Sequence, residues 1–245
     1  MTAQPNTVIE KCGSTNDLAK QLGENGAPHG TWISARAQDQ GRGRLGREWQ
    51  SGRGNLFLSM IARMGMNQNT TWIPLTAAVA VVSAIREQYP DFDLRIKWPN
   101  DLWAFSGRNS AKLGGILCEG VGTPSSSFIV IGLGLNCTDS PKGLDQPTTS
   151  LTEVIGEGMI RADDVREDII LALNDRLNEL MTTGPAGIGL AYERWAAFPR
   201  GTPITWGEGE GTVLGLGAAS ELLVELPNGT CRSLYAEDVK IRPAR

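Results

Sequence analysis

Residues 41–55 read Gly41-Arg42-Gly43-Arg44-Leu45-Gly46-Arg47-Glu48-Trp49-Gln50-Ser51-Gly52-Arg53-Gly54-Asn55. The first six satisfy the GxGxxG dinucleotide pattern. That pattern works only when a strand precedes the glycines and a helix follows at once, because the helix N-terminus holds the pyrophosphate. A strand-like run, GTWISARAQ, does precede. After Gly46, however, come a polar stretch, two more glycines and a second strand-like run, NLFLSMIARM. No helix start is available, so the match does not indicate a Rossmann fold. A kinase-type loop fails too, since the chain has no His-Arg-Asp and no Asp-Phe-Gly segment. What is left is an anion-holding loop. Gly41, Gly43, Gly46, Gly52 and Gly54 let backbone approach a ligand. Arg42, Arg44, Arg47 and Arg53 can fork onto carboxylate or phosphate oxygens. Like charges and little apolar surface predict a loop that a ligand orders.

Working outward, the 245 residues are 40% apolar, enough for one sizeable core with a small appended unit. The net charge of −4 argues against a general nucleic-acid binder. Cys12, Cys118, Cys137 and Cys231 form no CxxC pair, and the single histidine, His29, excludes the usual Cys/His zinc spacing, so no metal ligand set is expected. The cysteines read as buried free thiols. No signal peptide or membrane span is visible, which makes a reducing cytoplasm the default location.

The pattern alternates strands and helices. STNDLAKQL predicts a short helix capped by Ser14 or Thr15, with Asp17 at its positive end. TTWIPLTAAVAVVSAIREQY predicts a buried helix that tolerates Pro74 in its first turn. LRIKW, DLWAF, KLGGILCEG and SSFIVIGLGLN predict strands, with SGRNSA as a polar turn between the second and third. In ADDVREDIILALNDRLNELM, residues Val165, Ile169, Leu173, Leu177 and Leu180 share one helical side, and GLAYERWAAF predicts a further helix. From about residue 200 short strands alternate with glycine turns, TPITW, GTVLGL, ELLVEL, TCRSLY and DVKIR, and Asn228-Gly229 marks a hairpin. Residues 200–245 therefore read as a small β-barrel.

Three more segments hold polar groups where a core would not want them. Lys97-Trp98-Pro99-Asn100-Asp101 sets a lysine, an amide and a carboxylate around a stiff bend. Lys112-Leu113-Gly114-Gly115 opens a strand with adjacent glycines, which suggests close approach of a ligand or another backbone. Gly132-Leu133-Gly134-Leu135-Asn136 ends an apolar strand in an amide. Taken singly, each is also compatible with an ordinary turn or surface position, and Trp49 with either a core aromatic or a stacking platform.

In order, STND, GRGRLGREW, KWPNDL, KLGGILCE, GLGLN and TTSL at 148–151 closely resemble the motifs of the biotin protein ligases, from about Ser14 to Arg242. The resemblance implies an α+β fold: a mixed β-sheet catalytic domain (1–199), of the kind shared with class II aminoacyl-tRNA synthetases, with helices on one side, and an SH3-like C-terminal barrel (200–245). It implies that biotin and MgATP give biotinyl-5′-adenylate and pyrophosphate. The biotinyl group then passes to a lysine of a carrier domain of a biotin-dependent carboxylase. Ser14, Thr15, Asn16, Gln38, Gly41 and Gly43 match biotin-pocket positions, with Gly115 beside them. Arg42 and Arg44 match positions holding biotin and its adenylate. Lys112 matches the lysine beside the reacting carboxylate. Arg47, Trp49, Asn100, Asn136 and Arg242 match the nucleotide side, and Asp101 is the candidate helper for the incoming amine. The family's bifunctional members carry an N-terminal DNA-binding domain; only thirteen residues precede Ser14, so the chain resembles the monofunctional type. The turn between Leu102 and Lys112 departs from better-known members and leaves the register of 104–111 open. A lipoate–protein ligase, a non-catalytic small-molecule sensor and a DNA-binding repressor are the competing readings.

Overall fold

The computed structural model describes residues 4–243 except 51, 65–67, 108, 124–125, 157, 208 and 237–240. The DVKIR strand expected near the C-terminus lies partly outside the described residues. Seven strands form the main sheet: β1 (Thr7–Ile9), β2 (Trp32–Ala35), β3 (Leu56–Ala62), β4 (Leu94–Lys97), β5 (Asp101–Ser106), β6 (Asn109–Thr123) and β7 (Ser126–Leu135). Their order across the sheet is β1-β2-β3-β7-β6-β5-β4. The β1–β2 pair is parallel and the other pairs are antiparallel, which makes the sheet mixed. Helix α1 (Thr15–Glu24) forms the β1–β2 crossover. The strand β1 has no signal in the sequence reading, since three residues are too few to show alternation.

One face of the sheet carries the large core. Leu56, Leu58 and Met60 of β3 and Ile131, Leu133 and Leu135 of β7 point there, as period-two alternation requires. They meet α2 (Ile73–Gln88), α4 (Ala162–Thr183) and α5 (Ala186–Trp195). Almost every side chain of α2 from Ile73 to Ile85 is buried, because α4 covers its far side. Each of the five predicted apolar positions of α4 is buried. Fully burying a Val, Leu or Ile contributes about 1.5–3 kcal/mol, so this stripe fixes the helix firmly.

Helix α1 is on the other face. Ala19 and Leu22 pack with Ile33, Ile61, Phe128 and Val130, the alternate set on the same strands. The expectation that the helices lie on one side is therefore corrected. Ser14 occupies the N-cap position of α1, but its side chain makes no capping hydrogen bond. At the other end, Arg63 donates to the Gly23 and Ala27 carbonyls at 2.5 and 2.7 Å, pinning α1 to β3.

The β5–β6 hairpin is tighter than expected. β6 begins at Asn109, so most of SGRNSA is strand, with Ala104 opposite Ala111 and Ser106 opposite Asn109. A register shift at Leu102/Trp103 leaves Leu113 as the extra residue of a β-bulge. A short helix, α3 (Leu151–Ile155), follows the TTSL segment and was not foreseen. Its capping box is explicit: Ser150 Oγ accepts the Glu153 N–H, and Glu153 accepts the Ser150 N–H.

The last five strands, β8 (Pro203–Trp206), β9 (Gly209–Leu216), β10 (Leu222–Glu225), β11 (Cys231–Leu234) and β12 (Ile241–Pro243), form an antiparallel sheet in the order β11-β10-β9-β8-β12. The Asn228-Gly229 hairpin is a longer turn than the two-residue type. The Gly229 N–H bonds to the Leu226 carbonyl, and only Gly229 takes positive φ. Ile204, Trp206, Val213 and Val224 continue the core of the main sheet. Of the cysteines, Cys137 is buried as expected, Cys12 and Cys118 are half-buried, and Cys231 is exposed.

Candidate functional site

The face of the main sheet that carries α1 continues into a polar floor built on glycine. Ser59 on β3, Gly132 and Gly134 on β7, and Gly115 on β6 stand in register across neighbouring strands and share that face. A Cβ on Gly132 would lie 2.2 Å from Asn16 Oδ1, and one on Gly134 would lie 2.4 Å from Trp49 Cε2. Only glycine lets the amide and the indole sit down on the strand.

On this floor the buried STN segment is locked by hydrogen bonds. Gln38 Oε1 accepts the Thr15 N–H and hydroxyl at 2.8 and 3.1 Å. Ser59 Oγ lies 2.8 Å from Thr15 Oγ1 and donates to Asn16 Oδ1 at 2.6 Å. Asn16 Nδ2 donates to Glu119 at 2.6 Å, and Lys20 closes the chain with a 2.8 Å bond to the same carboxylate. Burial raises the pKa of Glu119, but the hydrogen bonds from Lys20 and Asn16 outweigh it and hold the group below its usual range. Ser59, Glu119 and Lys20 went unnoticed in the sequence. Ser59 and Glu119 do fall on the floor side of their strands, a signal that becomes readable only once the register is known.

The arginine loop closes one side. The Trp49 N–H bonds to the Gly41 carbonyl and the Gly43 N–H to the Arg47 carbonyl, around a 3₁₀ turn at Arg44–Gly46. Leu45 at its tip takes φ 58° and is exposed. Arg42 forks onto Asp17 at 2.5 and 2.9 Å, with Glu119 at 3.9 Å. The hydrogen bond from Arg42 depresses the Asp17 pKa, and the same bond raises that of Arg42. Arg44 donates to Asn100 Oδ1 at 2.9 Å and to the Ala236 carbonyl, reaching the second sheet. Asn100 in turn donates to the Ile116 carbonyl at 2.6 Å.

The bulge at Leu113 matters most. Without it, Lys112 and Gly115, three residues apart, would point to opposite faces. The extra residue resets the alternation, so Lys112 opposite Trp103 and Gly115 opposite Asp101 share the floor side. Lys112 Nζ then sits 2.6 Å from Asp101 Oδ1 and 5.6 Å from the Trp49 ring centroid. A Cβ on Gly115 would stand 3.3 Å from that carboxylate, so the strand leaves the ion pair little spare room.

The structure thus brings together Thr15, Asn16, Gln38, Trp49, Asp101, Lys112 and Gly115, with Arg42 and Arg44 at the rim and Asn100 behind Arg44. Ser14 is buried at the start of α1. Arg47 is exposed on the loop. Asn136 is buried and donates to the Thr149 carbonyl at 3.0 Å, bracing the TTSL segment beside Lys112, while its Oδ1 is buried without a hydrogen-bond partner among the described residues. Arg242 is exposed on β12, opposite Thr205; Ala236, not Arg242, meets the loop.

The site joins a buried polar floor, a lysine–carboxylate pair and a loop of arginines on one face of a mixed sheet. The chain belongs to the biotin/lipoate A/B protein ligase family, whose description matches residues 8–136. It is 35% identical over 239 residues to the bifunctional ligase/repressor BirA of Bacillus subtilis, across 93% of this chain and 71% of that one. It is 36% identical over 153 residues to the biotin–[acetyl-CoA-carboxylase] ligase of Mycobacterium tuberculosis, covering 60% of this chain and 54% of that one. Its fold is similar to that of the biotin protein ligase from Aquifex aeolicus in complex with biotin and ATP, with a TM-score of 0.81, 23% identity and coverage of 97% and 98% of the two chains. No helix among the described residues is long and apolar enough to cross a membrane.

Proposed function

We propose that the chain is a biotin–protein ligase, joining biotin to a lysine of a carboxylase's carrier domain through an enzyme-held biotinyl-adenylate. The observation that carries this reading is the Lys112–Asp101 pair, set by the bulge on the same floor as the Thr15/Asn16/Gln38 cluster. The cluster's short polar groups suit a ureido ring, which offers donors and an acceptor. Activation brings a carboxylate against a phosphate. Two unit charges about 4 Å apart repel by about 4 kcal/mol at an effective dielectric near 20, and fixed cations offset that repulsion in the transition state. Lys112 supplies one such charge, Arg42 and Arg44 close over the carboxylate and the α-phosphate, and Asp101 takes the proton of the acceptor amine.

The nucleotide lies toward Trp49, Asn100 and Asn136, whose buried Oδ1 suits an amino donor; Arg47 and Arg242 extend that side. Among the described residues no cluster of three or more His, Cys, Asp or Glu could hold a metal. Magnesium enters as part of MgATP, in keeping with its usual binding through one or two carboxylates plus phosphates. Residues 1–199 form the catalytic unit and 200–245 an SH3-like unit. The repressor half of the Bacillus relative's name is not carried over, because a net charge of −4 offers DNA no general basic surface. The protein works in the cytoplasm.

The test is exchange of labelled pyrophosphate into ATP. Exchange that needs biotin and is not supported by lipoate is the expected result. Absence of exchange overturns the reading, and equal exchange with lipoate moves the chain to the other branch of the family.

A further inference from the structure

The last arginine of the glycine–arginine stretch, Arg53, takes no part in the site above. It lines a cavity of about 260 Å³ on the opposite face of the main sheet, between the β1–β2 edge and the start of α4. Three more arginines line it: Arg36, Arg161 and Arg166. The carboxylates there are Glu10 and Asp163, so four guanidinium groups face two acids in a chain that is acidic overall. Arg36 is shared between Glu10 at 3.3 Å and Asp163 at 3.2 Å. Arg166, whose side chain is only 13% exposed, is paired with Asp163. Its Nε–H is buried and makes no hydrogen bond, with Glu167 at 3.6 Å the nearest acid. Among the described residues, Arg53 and Arg161 have no carboxylate within ion-pair distance. The positive end of the 22-residue helix α4 opens on the same space.

We propose that this cavity is a second anion site, taking a compact phosphate-type dianion such as inorganic phosphate or a phosphate end of pyrophosphate. Arg36 and Arg166 are taken up by Glu10, Asp163 and Glu167, whereas Arg53 and Arg161 meet no carboxylate among the described residues and are the two charges open to an anion. The geometry of arginine selects phosphate, whose tetrahedral oxygens accept several forks at once. The site is separate from the carboxylate-activating one. Gln38 bonds to Thr15 at the start of α1, on one face of the sheet, whereas Arg36 pairs with Asp163 at the start of α4, on the other.

Calorimetric titration of the whole chain with phosphate and with pyrophosphate, at fixed ionic strength and with AMP in excess, tests this. Binding is expected to persist under AMP and to weaken about tenfold or more in Arg53→Ala and in Arg161→Ala, the effect of losing one hydrogen bond to a charged group. Both variants change exposed side chains and leave the core intact. No binding by the parent, binding abolished by AMP, or binding unchanged in both variants would each overturn the proposal. Preference between phosphate and pyrophosphate identifies which of the two the cavity fits.

Discussion

Lys112 is held by a carboxylate at 2.6 Å, a bulge and an indole, yet it contributes little to the core. Lys112→Ala should fold normally and slow adenylate formation by about two to three orders of magnitude, the typical cost of removing one preorganised donor. Rapid-quench measurement of adenylate checks this, and a near-parental rate would remove Lys112 from the chemistry. Asp17 permits a second test at the same scale. Its pKa is depressed below 3.8 chiefly by the hydrogen bond from Arg42. A depressed carboxylate stabilises the fold above its unfolded value and loses that contribution as pH falls through the folded one. Asp17→Asn should therefore lower the melting temperature at neutral pH, where the parent carboxylate is charged, and flatten the acid limb, so that the two profiles converge as pH falls below about 4, near the free carboxylate value. An unchanged acid limb would show that the Arg42 fork contributes nothing measurable to stability.

At the scale of elements, the arginine loop links the polar floor to the second sheet through one side chain. Arg44 touches Asn100 and the Ala236 carbonyl. Arg44→Gly would remove both contacts. A hydrogen bond to a charged group contributes about 1.5–3 kcal/mol, so the variant should still form adenylate but release it about ten- to a hundredfold faster. Biotinylation of added albumin reads the escape. Loss of adenylation without bystander labelling would assign Arg44 to activation rather than retention. The strands and helices here were largely legible, because period-two and helical patterns survive in β3, β7, α2 and α4. The bulge at Leu113 was not legible as such. Its trace is the Gly114-Gly115 pair, and a Cβ on Gly114 would lie 2.7 Å from the Gly134 carbonyl. Nor could the side of the sheet taken by α1 be read, since local pattern fixes which residues face inward but not which layer they face. The motif residues were found by their resemblance to a family. Their partners Ser59 and Glu119 required the register of β3 and β6, and the pairing of Asp17 with Arg42 required the path of the loop over α1.

For the whole molecule, the question is whether the second sheet is an independent module. Its attachment is specific: the Trp72 and Trp98 indoles donate to the Ala218 and Ser220 carbonyls at 2.8 and 3.0 Å, and Ser220 Oγ donates to the Thr71 carbonyl at 2.7 Å. Its apolar face joins the main core without a break, through Ile204, Trp206 and Val224. A shared core predicts one cooperative transition. Trp98 is the place to probe it, because it is 3% exposed and directly precedes Pro99-Asn100-Asp101. Trp98→Phe keeps most of the ring but leaves the Ser220 carbonyl without its donor, at a cost of about 1–3 kcal/mol. Trp98→Ala also opens a cavity and should cost about 3–5 kcal/mol. In urea, far-UV circular dichroism and the fluorescence of a dye placed on exposed Cys231 should report the same midpoint for parent and variants, lowered together. Because the bend that carries Asn100 and Asp101 hangs from the same tryptophan, both variants should also raise the KM for ATP. Two separated transitions, with the Cys231 probe unfolding first and ATP affinity unchanged, would mean that the second sheet is docked to the catalytic unit and not built into it.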